Sequence, residues 1–266
     1  MDQSSLQSAL KPFGLTKVAY FPSVGSTNDI VAAWARAGVR GPALAVADEQ
    51  TQGRGRSGRR WFTPPGSALA FSLLLPNEAI NSTAALGRAS GLGALAVCEA
   101  LEAVCGLQAK IKWPNDVLLM GRKVAGVLAE AQWTGDRLTA LMLGIGINIA
   151  PSSVPPAEAL SFPATSIEQV SESEVERLAL MAASIESCLG WLDRLEQPEF
   201  SVAWEGRLAY QGERVQLHIG QDETLIGELE GLEEDGSLIL RLADGRKKAF
   251  QVGEISLRLF VDSQTK

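Results

Sequence analysis

Apolar positions change their spacing several times along this chain, and each spacing predicts a different element. ALAVAD at 43–48 and ALAFSLLL at 68–75 are short apolar runs bounded by turn residues, the pattern of buried strands. VGSTNDIVAAWARAG at 24–38 reads as a helix, with Ile30, Trp34 and Ala37 on one face. Ser26 or Thr27 would cap it, Asp29 lies three residues after Ser26, and Gly38 supplies the stop. Residues 84–105 read as a long helix weakened by Gly87, Gly91 and Gly93. AKIKW at 109–113 is a strand stopped by Pro114. VLLM and KVAGVLAEAQW form a hairpin turned at Gly121-Arg122, and RLTALMLGIGINI follows a Thr-Gly-Asp turn. The Pro- and Ser-rich stretch 150–166 is loop. Over 172–192, Val175, Leu178, Ala182, Ile185, Leu189 and Leu192 step by three and four and predict an amphipathic helix.

After about residue 210 the texture becomes a run of short strands, RVQLHIG, TLIGELEGL, SLILRL and KKAFQV, with Asp-Gly turns at 235–236 and 244–245. The expected class is therefore α+β: residues 1–209 as a mixed sheet backed by helices, and residues 210–266 as a small, separate β-barrel.

Composition narrows the function classes. The 266 residues are 46% hydrophobic and 21% charged, as expected of a chain with a sizeable core. A formal net charge of −7 argues against general binding to nucleic acid or an anionic membrane. Cys98, Cys105 and Cys188 form no CxxC or Cys/His cluster, which suits core packing in a reducing cytoplasm. The amino terminus lacks the regions of a signal peptide and no run is long enough to span a bilayer, so a cytoplasmic protein is expected.

Against that acidic background, TQGRGRSGRRW at 51–61 packs four arginines among three glycines. Gly53, Gly55 and Gly58 satisfy G-x-G-x-x-G, but the following Arg-Arg-Trp-Phe-Thr-Pro-Pro-Gly cannot open the helix that a dinucleotide site requires. A nucleic-acid patch with Trp61 for stacking conflicts with the acidity elsewhere. A clamp around a small polyanion fits best, because arginine forks match carboxylate and phosphate oxygens and glycines let the backbone close. Nothing within 51–60 neutralises the arginines, so the loop is expected to be mobile until a ligand joins them.

Other polar groups define the chemistry. KWPND sets Lys112, Asn115 and Asp116 at a strand end, and Lys123 opens the next strand. GIGIN places Gly144 and Gly146 where missing side chains permit close approach by a ligand, with Asn148 beside them. Taken singly, an Asn-Asp turn, a solvated lysine and a strand glycine are ordinary structural features. The one histidine, His218, lies in the carboxy-terminal strands, so no histidine base is at hand. Attack of a carboxylate on the α-phosphate of ATP needs none: the nucleophile is already ionised, and cations relieve the repulsion between anions.

STN at 26–28, GRGRSGRRW at 53–61, KWPND at 112–116, KVAGVL at 123–128, GIGIN at 144–148 and GEISLR at 253–258 together resemble the biotin–protein ligases, in order and spacing. The resemblance implies a catalytic domain of class II aminoacyl-tRNA synthetase-like fold and an SH3-like barrel. It also implies two steps: biotin and ATP with Mg²⁺ give biotinyl-5′-AMP and pyrophosphate, and biotin then passes to a lysine of the biotin carboxyl carrier protein of acetyl-CoA carboxylase. By motif, Ser26, Thr27, Asn28, Gln50, Gly126 and Gly144 would line the biotin site, with Trp61 as an apolar wall. Arg54, Gly55 and Arg56 would belong to the closing loop, and Lys123 would bridge the carboxylate and the α-phosphate. Arg59, Lys112, Asn115, Asp116, Asn148 and Arg258 would surround the nucleotide, with Asp116 as the Mg²⁺ ligand. Only 25 residues precede Ser26, so the expectation is the stand-alone type without a DNA-binding module. A homodimer stays open. Lipoate–protein ligase is the neighbouring alternative, and the arginine loop with KWPND favours biotin.

Overall fold

The computed structural model of the chain describes residues 1–76, 83–220, 223–251 and 255–260. Seven strands form one mixed sheet: β1 (Lys17–Phe21), β2 (Ala43–Ala47), β3 (Ala68–Leu75), β4 (Lys110–Lys112), β5 (Asp116–Leu119), β6 (Arg122–Thr134) and β7 (Arg137–Asn148). Their spatial order is β1-β2-β3-β7-β6-β5-β4, parallel only between β1 and β2. Alternation along each strand divides the sheet into two faces. Leu69, Phe71, Leu73, Leu143, Ile145 and Ile147 face the large core under helices α3 (Thr83–Cys105) and α5 (Arg177–Leu192). Ala43, Ala45, Leu74 and Met142 face the other way, against Val31 and Ala32 of helix α2 (Thr27–Arg36). Ser72, Gly144 and Gly146 share the parity of that second face, where the site lies.

The mixed sheet, its helices and the carboxy-terminal strands match the expected class, with local corrections. The hairpin turns at Met120-Gly121, both at positive φ, so Arg122 already belongs to β6. Helix α2 starts at Thr27 with Ser26 at its N-cap but without a side-chain cap bond, and the Thr27 hydroxyl bonds Gln50. The helix expected over 172–192 begins at Arg177, capped by Glu176. Glu172, at φ 54°, closes the short helix α4 (Ile167–Ser171), and Val175 lies outside both. Gly91 and Gly93 are packing positions: a Cβ at Gly91 would stand 2.6 Å from the Trp204 ring and one at Gly93 2.8 Å from Val127. Five of the named elements had no expectation attached: α1 (Gln3–Leu10), capped by Asp2 and Ser5, strand β1, the short helix α4, α6 (Pro198–Gly206) and the last carboxy-terminal strand, Ile255–Leu259.

The carboxy-terminal strands β8 (Arg214–Ile219), β9 (Glu223–Leu232), β10 (Leu238–Leu242), β11 (Lys247–Phe250) and β12 (Ile255–Leu259) form an antiparallel sheet ordered β11-β10-β9-β8-β12. They dock against the larger part of the chain. The Asp-Gly turn between β9 and β10 inserts beside the large core, where the Trp113 indole donates to the Gly236 carbonyl at 3.0 Å and Arg88 donates to the Leu195 and Glu234 carbonyls. Val252, Gly253 and Glu254, which end KKAFQV and begin GEISLR, fall outside the described residues. Among the described residues no helix is long and apolar enough to cross a membrane.

Candidate active site

Register builds the floor of the site. One row across the sheet runs Ser72, Gly144, Leu128, and the next runs Ala70, Gly146, Gly126, Asp116, Lys112. Three glycines at the middle of these rows clear the surface, while polar side chains stand at either end. The result is a cavity of about 830 Å³, within the range of small-molecule sites. Of the residues singled out in the sequence, Ser26, Thr27, Asn28, Gln50, Arg54 and Gly55 line it. So do Arg56, Arg59, Trp61, Lys112, Asn115 and Asp116, together with Lys123, Gly126, Gly144 and Asn148. Arg258 alone stands outside the wall, reaching it through its neighbours.

At one end the donors and acceptors are arranged as a network. Gln50 Oε1 accepts from the Thr27 N–H at 2.9 Å and lies 3.1 Å from the Thr27 hydroxyl. The Ser72 hydroxyl, fully buried, lies 2.7 Å from Thr27 Oγ1 and 2.5 Å from Asn28 Oδ1. Asn28 Nδ2 donates to Glu130 at 2.6 Å. The space beside Gly144 and Gly146, expected to admit a ligand, is instead used by side chains. A Cβ at Gly144 would meet Asn28 Oδ1 at 2.5 Å, and one at Gly146 the Trp61 indole at 2.3 Å. Trp61 thus lies on the Gly126–Gly146 shelf, its buried indole N–H without a hydrogen-bond partner.

At the other end three charges meet, Lys112 and Asp116 buried and Lys123 partly so. Asp116, 6% exposed, lies 2.8 Å from the Lys112 ammonium and 2.5 Å from that of Lys123. Burial resists ionisation of Asp116, but Lys123 and Lys112 outweigh it and hold the carboxyl well below the usual range. One carboxylate serving two ammoniums leaves each cation only partly compensated. Burial accordingly pushes Lys112 down, with Asp116 opposing. Lys112 also sits 4.7 Å from the Phe162 ring, and Arg258 lies over the same ring at 5.3 Å while donating to the Ser161 carbonyl at 3.3 Å. Burial, with Arg59 nearby, pushes Arg258 down. Asn148 Nδ2 is committed to the Thr165 carbonyl.

The arginine loop lies between these ends as a small hairpin. Gly55 N–H donates to the Arg59 carbonyl at 2.7 Å and Trp61 N–H to the Gly53 carbonyl at 2.9 Å, with Ser57 and Gly58 turning at positive φ. Its countercharges come from outside the segment. Arg54 grips Asp29 through two bonds of 2.8 Å and reaches Glu130 at 3.2 Å. The bond to Asp29 raises Arg54 further above its ordinary value and lowers Asp29. Arg56 donates to Asn115 Oδ1 at 3.2 Å, and burial pushes its pKa down.

Two parts of the site had no sequence signal. Ser161 and Phe162 belong to a stretch whose composition says only loop, and the backbone bonds of Lys123 with Pro163 and Thr165 bring it to the cavity. Ser72 and Glu130 sit in apolar strands, where period 2 alone would have placed them on the face of Gly144.

Two family models match. The "Biotin/lipoate A/B protein ligase family" covers residues 20–148 and the "Biotin protein ligase C terminal domain" covers 210–258. The biotin–[acetyl-CoA-carboxylase] ligase of Paracoccus denitrificans is 37% identical over 218 residues, 79% of this chain and 88% of that one. The bifunctional ligase/repressor BirA of Bacillus spizizenii is 33% identical over 78% of this chain, which spans only 64% of that relative's length. The biotin protein ligase of Aquifex aeolicus, solved in complex with biotin and ATP, superposes with a TM-score of 0.79 at 30% identity, covering 92% of this chain and all of that one. The motifs, the fold and these likenesses agree: the chain belongs to the biotin/lipoate A/B protein ligase family.

Proposed function

We propose that the chain is an ATP-dependent biotin–protein ligase. It joins biotin to ATP as biotinyl-5′-AMP with release of pyrophosphate, then transfers the biotinyl group to a lysine of a biotin carboxyl carrier protein. Residues 1–209 would form the catalytic domain and 210–266 the carboxy-terminal one. The observation that carries this reading is the polarity of the cavity: Thr27, Asn28 and Gln50 at one end, the Lys112 and Lys123 cations at the other, and Trp61 on the Gly126–Gly146 shelf between. A ureido ring has donors and acceptors to match Thr27, Asn28 and Gln50, whereas the dithiolane of lipoate has none, so the floor favours biotin.

In the first step a biotin carboxylate oxygen attacks the α-phosphorus, and the bond to the β-phosphate oxygen breaks. The carboxylate is ionised at neutral pH, so the obstacle is charge. Lys123 would meet both anions at their junction, and Arg56, Arg59 and Lys112 would offset the triphosphate. Asp116 holds the two ammoniums in place through its ion pairs with Lys112 and Lys123. In the second step a neutral lysine amine attacks the acyl carbon, AMP leaves, and the amine proton passes to solvent. No group of three His, Cys, Asp or Glu able to hold a metal occurs among the described residues, and both Asp116 oxygens are held by lysines. Asp116 would hold Mg²⁺ only by giving up one of these ion pairs, and the ion, where bound, would neutralise phosphate charge.

The test is pyrophosphate release from ATP and Mg²⁺ with biotin or lipoate. Release that depends on biotin and not on lipoate supports the proposal, and release with lipoate alone contradicts it.

A further inference from the structure

We propose that Glu130 is a positioning residue that ties closure of the arginine loop to the orientation of the side chain meeting the biotin ring. The inference rests on the ligase reading. Glu130 lies in the middle of β6, opposite Met142 and on the site face, one strand position beyond the glycine-cleared channel. Its Oε2 accepts from Asn28 Nδ2 at 2.6 Å and from Arg54 Nη2 at 3.2 Å, and its Oε1 stands 3.5 Å from the same guanidinium nitrogen.

The donor inventory gives the network a direction. An ionised carboxylate only accepts, so Asn28 must turn its amide nitrogen toward Glu130 and its oxygen toward Ser72. Ser72 has one proton to donate, and Asn28 Oδ1 at 2.5 Å is the acceptor that orientation presents. Asn28 Nδ2 stands 3.5 Å from the Leu128 carbonyl oxygen, too far for a good bond, so its second proton is left to a ligand oxygen. On its other side the same carboxylate holds Arg54, which also grips Asp29 through Nη1 and Nη2. One carboxylate thus reads both the loop and the pocket floor. Arg54 becomes the fastener of the loop, and Arg56 and Arg59 are the loop cations that line the cavity toward the nucleotide end.

Glu130→Gln is nearly isosteric but offers a single acceptor to two donors and sets its own N–H₂ against one of them. Losing one charge-assisted bond corresponds to about 10- to 150-fold. The expected result is a rise of that order in the biotin KM and in the rate at which the adenylate escapes, with the ATP KM unchanged. The lysine–aspartate cluster shares no bond with Glu130. Asp29→Asn separates the two tasks: it should hasten escape yet leave the biotin KM at the wild-type value, because Asn28 keeps its acceptor. A purely structural Glu130 would instead move both KM values and lower kcat together. That pattern, or wild-type behaviour of Glu130→Gln, overturns the inference. Should Glu130→Gln fail to fold, Asn28→Ala combined with Arg54→Gln carries the test, since effects through one carboxylate must be non-additive and additive losses refute it. Wild-type protein that neither binds biotin in calorimetry nor releases pyrophosphate overturns the ligase reading itself, whatever Glu130 does.

Discussion

Replacing Asp116 by Asn tests the buried charge cluster. The substitution keeps volume but removes the anion lying 2.8 Å from Lys112 and 2.5 Å from Lys123. Both partners then face each other in a site where Lys112 is only 4% exposed. Breaking a buried pair by removing one partner costs about 3–5 kcal/mol. At about 2–4 °C per kcal/mol for a chain of this size, the melting temperature should fall by about 6–20 °C. The sign with pH follows from Asp116, whose folded pKa lies below its ordinary 3.8. Its contribution is complete above that value and is lost as pH falls toward the folded pKa. Urea midpoints of wild type and variant should therefore differ by a constant amount between pH 7 and pH 5. Below pH 3.8 the gap should narrow by about 1.4 kcal/mol per unit, a narrowing of about 1 kcal/mol by pH 3. No gap at pH 7, or the same gap at pH 3 as at pH 7, would refute the electrostatic argument.

Lys123→Gln should lower single-turnover adenylate formation by about 10²–10³, the effect of losing one preorganised donor, while destabilising less than Asp116→Asn because the carboxylate keeps Lys112. Arg56→Gly removes a half-buried cation and its bond to Asn115, so the adenylate should escape about 10- to 150-fold faster. Biotin should then appear on bystander proteins that wild type leaves unlabelled, as read on a streptavidin blot. Gly144→Ala places a methyl 2.5 Å from Asn28 Oδ1 and should raise the biotin KM about 10-fold or more with the ATP KM unchanged.

Much of the site was legible because its chemistry is carried by polar residues in local clusters: KWPND and the arginine loop announce charge wherever they are folded. What joins them is long-range and leaves no local mark. Arg54 meets Asp29 and Glu130 across 25 and 76 residues, and Phe162 reaches Lys112 from a loop defined in the sequence only by prolines and serines. Glycine spacing misled in one respect. Gly144 and Gly146 signal close approach, but the approaching group is Asn28 or Trp61, and Gly91, read only as weakening its helix, makes room for Trp204, identities that only tertiary packing supplies. The shift of the 172–192 helix has a similar origin: Val175 keeps helical spacing, yet the left-handed Glu172 and the Glu176 cap fix the start further on.

The central claim is transfer of biotin, through an adenylate made in this cavity, to one lysine. The most direct measurement is mass spectrometry of a biotin carboxyl carrier domain incubated with the protein, biotin, ATP and Mg²⁺. The account predicts one biotinyl group on one lysine, absent without ATP and greatly slowed in Lys123→Gln. A carrier left unmodified while pyrophosphate is released, or modified equally well without ATP, would contradict it.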